Sequence, residues 1–175
     1  TVHGYFNEVV LRKMAEINEH PIIFPLSNPT SKSECTFEEA LTHTDGRCVF
    51  AAGSPFPDVT FQGRTRVAGQ GNNFYIFPAL GLAGALVQAK HINDNVITEA
   101  AIALADSLNK EESDADRLYP RLERVREISN YIAFRCIKIL IRDGLCRDNG
   151  LTASMNDDEL YKWIAARMWL PDYSH

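Results

Sequence analysis

Two short apolar segments constrain the fold of this chain most. Residues 21–26 and 47–52 are apolar runs, and each ends abruptly at turn-forming residues. Short runs of this kind are typical of strands buried in a parallel sheet, where helices cover both faces. A short helix over residues 37–43 is predicted between them, because Thr36 and Glu39 have the spacing of a capping box. The pattern therefore predicts part of a doubly wound α/β unit.

The pattern changes after residue 72. A helix is expected over residues 8–18 with Asn7 as its cap, and a small hairpin around Gln62-Gly63, followed by a flexible loop at residues 69–73. Beyond that loop the periodicity is helical almost throughout. Helices are predicted over residues 74–90, 95–108, 122–143 and 157–169. Gly144 is expected to end the third of them. The predicted fold class is thus α/β followed by all-α, and two strands alone would leave the sheet incomplete.

Charge and hydropathy exclude two classes of partner. The net charge is -5, and the densest basic stretch, residues 117–126, is interrupted by Glu123. A nucleic-acid interface needs a basic face, so none is predicted. The longest apolar run, residues 74–87, is shorter than the roughly 20 residues that a membrane span needs.

The four cysteines include no CxxC pair, which favours free buried thiols over a zinc site.

The candidate binding residues lie where the predicted strands end. Ligands of open α/β sheets bind outside the carboxyl ends of the strands. Asn28 lies at one such end and Gly53-Ser54 at the other, while Asn72-Asn73 follow a glycine loop. Carboxamides can orient an anion without adding charge. The residues alone leave open that Asn28 only forms a turn before Pro29 and that Asn73 only caps a helix.

The ordered motifs resemble those of the malic enzyme family. Residues 21–30, PIIFPLSNPT, resemble that family's PIIFALSNPT. The family's next blocks, in the same order and at similar spacing, resemble residues 34–36 (ECT), 46–56 (GRCVFAAGSPF) and 69–78 (GQGNNFYIFP). The similarity continues more weakly through residues 117–120 and 129–141.

The resemblance implies oxidative decarboxylation of L-malate to pyruvate and CO₂ with reduction of NAD or NADP, assisted by Mg²⁺ or Mn²⁺. It implies that Asn28 contacts substrate and nicotinamide, and that Asn72 or Asn73 contacts the substrate carboxylate. Ser27 and Gly53 join Asn28 as expected cofactor contacts. It assigns no catalytic residue and no metal ligand to this chain. The family's lysine base, tyrosine acid, acidic metal ligands and glycine-rich dinucleotide loop are expected upstream.

The resemblance also implies an organisation. Residues 1–72 would end a Rossmann-like dinucleotide-binding domain, residues 73–145 would return to the adjacent domain, and residues 146–175 would form an extension for oligomer contacts. The expected partners are the remainder of the enzyme and further copies in a homotetramer. The expected location is the mitochondrial matrix, with the cytoplasm as the alternative. The alternative function is a non-catalytic nucleotide-binding or oligomerisation module.

Overall fold

The computed structural model describes residues 3–114, 117–148 and 150–169. The chain divides into two compact units. The first unit contains Thr1–Asn72 and Leu108–Pro120, and the second contains Asn73–Ser107 and Arg121–His175.

Helices and strands alternate in the first part of the chain, and helices dominate the rest. The α-helices are α1 (Glu8–Ile17), α2 (Phe37–His43), α3 (Phe77–Leu86), α4 (Asp94–Asp106), α5 (Lys110–Asp114), α6 (Val125–Arg142) and α7 (Asp157–Ala165). The strands are β1 (Ile22–Ile23), β2 (Val49–Ala52), β3 (Val59–Phe61), β4 (Arg64–Arg66) and β5 (Gly69–Gln70). The predicted fold class, α/β followed by all-α, is confirmed.

The first unit contains a parallel sheet of three strands in the order β1-β2-β5. Ile22 pairs with Val49 on one side of β2, and Ala51 pairs with Gly69 on the other. The prediction of a loop at residues 69–73 is therefore wrong at Gly69–Gln70. A glycine contributes nothing to an alternating apolar pattern, so this strand leaves no hydropathy signal. It also fits closely, because a Cβ atom at Gly69 would lie 3.0 Å from the carbonyl oxygen of Phe50.

The first strand is shorter than the apolar run that predicted it. The prediction covered residues 21–26, whereas β1 contains only Ile22–Ile23. Pro21 and Pro25 have no N–H to donate to a sheet ladder. Their carbonyl oxygens still accept hydrogen bonds from the neighbouring segment. Val49 N–H donates to Pro21 O at 2.9 Å, and Gly53 N–H, just after β2, donates to Pro25 O at 3.1 Å.

Local capping signals predicted where α1 and α2 begin, whereas the short helix α5 (Lys110–Asp114) was not predicted. The α2 helix begins with the predicted capping box, in which Thr36 Oγ1 accepts from Glu39 N–H at 3.1 Å and the Glu39 carboxylate accepts from Thr36 N–H at 2.8 Å. Asn7 caps α1 by accepting from Val10 N–H at 3.1 Å. The hairpin β3-β4 around Gln62-Gly63 also forms as predicted.

The core of the first unit lies between the sheet and its helices. Buried side chains from α1, β1, α2 and β2 include Leu11, Ile23, Leu41 and Phe50. The rings of Phe37 and Phe50 pack with centroids 4.7 Å apart. This cluster supports one face of the sheet, because burial of apolar surface drives the packing of a helix on a sheet.

The second unit is a helical assembly around α6, which packs against α3, α4 and α7. Ile128, Ile132, Ile137 and Leu140 of α6 are buried. Gly144 ends α6 in the left-handed region with φ +66°, as predicted.

All four helices predicted for the second unit are shorter in the structure. Helix α4 (Asp94–Asp106) differs from its prediction by only one or two residues at each end, whereas a 3₁₀ turn, Leu122–Arg124, occupies the predicted start of α6. A 3₁₀ turn, Asn73–Tyr75, occupies the predicted start of α3, and α7 ends at Ala165 rather than at Trp169. The α7 capping box of Asn156 and Glu159 is present.

The four cysteines are free thiols, and only Cys146 is partly exposed. In the part of the chain that the structure describes, no helix has the length and hydrophobicity needed to cross a membrane.

Candidate functional site

The candidate site is the edge of the parallel sheet where its strands end. Carboxyl ends of parallel strands lie at the same edge of a sheet, and ligands of α/β proteins bind there. Ser27 and Asn28 follow β1, Gly53 and Ser54 follow β2, and Asn72 follows β5. The first unit thus carries at this edge each predicted site residue except Asn73.

The Asn28 side chain is held by a residue that follows the neighbouring strand, β2. The hydroxyl group of Ser54 donates a hydrogen bond to Asn28 Oδ1. Ser54 is only 9% exposed, whereas Asn28 is exposed. With its oxygen accepting from Ser54, the carboxamide keeps an amino group with two N–H donors. The arrangement therefore presents donors to a carboxylate or to an amide carbonyl.

Gly53 makes this arrangement possible because it has no side chain. A Cβ atom at Gly53 would lie 2.3 Å from Leu26 O, 2.8 Å from Leu26 C and 2.9 Å from Asn28 Nδ2. Those distances are shorter than carbon can approach backbone or amide atoms. The two strand ends can approach one another only with glycine at this position.

The backbone and side chain of Ser27 both donate to Glu34. Its N–H donates to Glu34 Oε2 at 3.3 Å, and its hydroxyl donates to Glu34 Oε1. Burial raises the pKa of the Glu34 carboxyl, but hydrogen bonds from the Ser27 hydroxyl and from the backbone N–H groups of Glu34 and Ser27 favour the carboxylate, so the pKa lies below the ordinary value. A ligand at Ser27 would therefore use the lone pairs of the hydroxyl oxygen rather than its proton.

The turn after β5 forms the third part of the edge. Gly71 N–H donates to Ala52 O at 2.9 Å, and Asn72 N–H donates to Gln70 O at 3.1 Å. A Cβ atom at Gly71 would lie 3.6 Å from Tyr119 Oη. Burial raises the pKa of Tyr119, so its phenol stays protonated at neutral pH.

Asn73 belongs to the second unit. It opens the 3₁₀ turn Asn73–Tyr75, and its carbonyl oxygen accepts from Ile76 N–H at 3.1 Å. Its side chain is exposed.

Sequence reasoning noted Ser54 at a strand end but missed its contact with Asn28. The two residues are 26 positions apart, and only the pairing of β1 with β2 brings them together. It also missed Glu34 and Tyr119. The only available signal for either was membership of the motif blocks, because no periodicity or spacing connects Glu34 to Ser27 or Tyr119 to Gly71.

A cavity of about 540 Å³ lies elsewhere in the first unit. Its lining includes Arg47, Arg66 and Arg117, at the amino end of β2. Arg47 donates to the carbonyl oxygens of Asn18 at 3.0 Å and Glu19 at 2.8 Å, just past the end of α1. Cations commonly cap helix carboxyl ends in this way, so we assign this guanidinium to structure.

Among residues 3–114, 117–148 and 150–169, no group of three or more His, Cys, Asp or Glu side chains could hold a metal ion. Mg²⁺ and Mn²⁺ need several oxygen ligands, so the described residues do not fit such a site.

A comparison with known families covers most of this chain. Residues 1–141 match the family model described as malic enzyme, NAD binding domain. The chain belongs to the malic enzyme family. The parallel sheet and the helices accordingly agree with a Rossmann-like α/β region followed by a helical region.

Curated malic enzymes are similar over nearly all of this chain. The NAD-dependent mitochondrial malic enzyme of Ascaris suum is 45% identical over 175 residues, covering 99% of this chain and 26% of that protein. The NADP-dependent malic enzyme of Dictyostelium discoideum is 42% identical over 172 residues, covering 98% of this chain and 30% of that protein. The chain thus spans less than a third of the length of these relatives.

Solved structures support the fold. The malic enzyme of Entamoeba histolytica aligns with a TM-score of 0.73 at 23% identity, over 93% of this chain and 29% of that one. The malic enzyme of Pyrococcus horikoshii aligns with a TM-score of 0.68 at 22% identity, over 93% of this chain and 32% of that one.

Proposed function

We propose that the complete gene product catalyses the NAD(P)-dependent oxidative decarboxylation of L-malate to pyruvate and CO₂, and that this chain supplies neutral amide contacts to its active site. The observation that carries the proposal is the Asn28 carboxamide held by Ser54 at the carboxyl edge of a parallel sheet, within the residues that match the family.

A neutral amide suits the role proposed for Asn28. Malate carries two carboxylates, and the oxidised nicotinamide carries a carboxamide that can accept hydrogen bonds. The two N–H donors of Asn28 can bind oxygens of both, and they bring no net charge that would change the affinity for the cofactor. Donors fixed in place before the reaction stabilise developing charge better than donors that must reorient.

The other contacts are proposed by residue type and place. We assign the substrate carboxylate to Asn72 or Asn73, and further cofactor contacts to Ser27 and Gly53. Gly53 would contribute its backbone, since it has no side chain. Its carbonyl oxygen accepts from Gln70 Nε2 at 3.5 Å. Ser27 would contribute an acceptor, because its hydroxyl proton is donated to Glu34.

The cofactor supplies one part of the chemistry when it is bound, namely the acceptor for the hydride from C2 of malate. We propose that the amides of Asn28 and of Asn72 or Asn73 orient that carbon. We propose NAD or NADP, since the relatives are named for either one. We propose Mg²⁺ or Mn²⁺ for the complete gene product, and no step is assigned to the metal through the described residues because they do not form its site.

Assembly and location are further parts of the proposal. We propose a homotetramer in which residues 146–175 make subunit contacts. Trp169 supports this part, because its side chain is 69% exposed and exposed aromatic side chains are enriched at protein interfaces. We propose the mitochondrial matrix as the location, supported by the relative from Ascaris suum that is named mitochondrial.

The test replaces the amides in the complete gene product. Asn28→Ala and Asn73→Ala should each lower kcat/KM for malate by at least about tenfold, because each removes hydrogen bonds to a charged or reacting group. The measurement is the appearance of reduced nicotinamide with malate and Mn²⁺. Asn18→Ala is the matched control, since Asn18 is an exposed asparagine at the end of α1 whose side chain donates to Met14 O at 3.1 Å, away from the strand ends. Unchanged malate oxidation in both amide variants would contradict the proposal.

A further inference from the structure

Ser54 is a buried serine whose hydroxyl group is directed at a proposed substrate contact. It follows β2 and is 9% exposed, and its hydroxyl donates to Asn28 Oδ1. A buried hydroxyl needs a hydrogen-bond partner, and many buried serines use a nearby carbonyl. Ser33 does so, because its hydroxyl donates to Cys35 O at 2.8 Å. Ser54 instead bonds to an exposed side chain on the ligand-binding edge.

This bond restricts how the Asn28 amide can turn. The terminal torsion of asparagine is broad and roughly two-fold, so an unsupported carboxamide samples many orientations. Asn28 is exposed, and the surrounding side chains therefore give it little steric restraint. The hydroxyl of Ser54 holds the oxygen end, and Asn28 Nδ2 lies 2.9 Å from the place that a side chain at Gly53 would occupy. Ser54 thus restrains the oxygen of the amide, and Gly53 leaves the space that its nitrogen occupies.

We propose that Ser54 is a positioning residue of the malic enzyme reaction, whose hydroxyl holds the Asn28 carboxamide with its amino group available to substrate and nicotinamide. The inference rests on the proposed function of Asn28. It adds a residue that does not touch the ligand and acts through another side chain. Partners of this outer kind orient the contacting group, and their loss costs activity although the contacting group is still present.

A double-mutant cycle in the complete gene product tests this inference. The variants are Asn28→Ala, Ser54→Ala and both together, with kcat and KM for malate measured for each. We expect Ser54→Ala to lower kcat/KM by about tenfold, the effect of losing one hydrogen bond to a group that contacts the reactants. In the Asn28→Ala background we expect the same change to have an effect of less than about twofold, because the amide that Ser54 holds is gone.

Ser33→Ala provides the matched control. It removes a hydroxyl from a serine of the same unit that is 1% exposed and that donates to a backbone carbonyl. Its effect on kcat/KM should be the same in the wild-type and in the Asn28→Ala background, because its partner is unrelated to the amide. If Ser54→Ala does not fold, Ser54→Cys replaces it, since a thiol has similar size and is a weak donor. Its effect should be smaller than tenfold and should likewise vanish with Asn28→Ala.

The outcomes separate the inference from the function on which it rests. If Asn28→Ala leaves malate oxidation unchanged, the role proposed for Asn28 is wrong, and the role of Ser54 fails with it. If Asn28→Ala lowers activity but the Ser54 variant lowers it by the same factor in both backgrounds, the function stands and the positioning role is overturned. Loss of the Ser54 effect in the Asn28→Ala background supports both.

Discussion

Replacing Gly53 by alanine should damage both the fold of the first unit and the site at its edge. The added Cβ atom would lie 2.3 Å from Leu26 O and 2.8 Å from Leu26 C. These are backbone atoms, which cannot rotate away as the end of a long side chain can. The third close atom is Asn28 Nδ2 at 2.9 Å, so relief of the clash must move either the strand ends or the proposed substrate contact.

The magnitude follows from the number and the kind of these contacts. Insertion of a methyl group into a site without space costs about 1–3 kcal/mol in the free energy of unfolding. In a chain of 175 residues each kcal/mol lowers the melting temperature by about 2–4 °C. We therefore expect Gly53→Ala to lower the melting temperature by about 2–12 °C. In the complete gene product it should also lower kcat/KM for malate at a temperature where the protein remains folded.

Thermal unfolding of the chain, followed by circular dichroism, measures the first effect, and Gly81→Ala is the control. Gly81 lies in α3, and no atom lies within 4 Å of a Cβ placed there. Alanine is the better helix former, so Gly81→Ala should stabilise the second unit by about 0.5–1 kcal/mol. A Gly53→Ala protein with the wild-type melting temperature and wild-type activity would refute the steric reasoning.

Three further predictions concern titration, reactivity and completeness. The pKa of Glu34 lies below its unfolded value, so its stabilising effect is fully present above pH 4.5 and is lost as the pH falls through the folded pKa. The difference in the free energy of unfolding between wild type and Glu34→Gln should be constant near neutrality and should shrink in acid, as urea titrations at several pH values would show. Burial raises the pKa of the Cys35 thiol to about 12, whereas Cys146 is partly exposed, so iodoacetamide should alkylate Cys146 first in the native chain, as read by mass spectrometry. Equal alkylation rates at these two thiols would contradict that order. The 175-residue chain alone should show no turnover with malate, Mn²⁺ and NAD(P), and robust turnover would overturn the expectation that the base, the acid and the metal ligands lie outside it.

Features that depend on neighbours within a few residues were predictable from the sequence. Thr36 and Glu39 predicted the start of α2, and Asn156 and Glu159 predicted the start of α7, because a capping box closes within four residues. Gly144 predicted the end of α6 for a similar reason, since a left-handed residue commonly follows a helix. The turn residues that follow β1 and β2 were also visible, and they located the edge where the candidate site lies.

Features that depend on distant pairing were not predictable in the same way. Strand β5 begins with Gly69, which carries no side chain and therefore no alternation, and only its pairing with Ala51 defines it. The apolar run at residues 21–26 suggested a longer strand, but its prolines limit the ladder to Ile22–Ile23. The roles of Ser54 and Glu34 depend on contacts with Asn28 and Ser27, and nothing in the spacing of these residues encodes such contacts.

The proposed site depends on the register of β1 against β2. Ser54 reaches Asn28 only because Ile23 pairs with Phe50, and a slip of one residue would move the partner by about 3.3 Å, farther than a hydrogen bond can tolerate. A slip would also move the side chain of Ile23 from the core to the opposite face of the sheet. The free energy gained by burying that side chain therefore opposes the slip. The hydrogen bond from Gly53 N–H to Pro25 O fixes the same register at the ligand-binding end. The burial of one isoleucine in the core therefore helps to set the orientation of an amide at the surface.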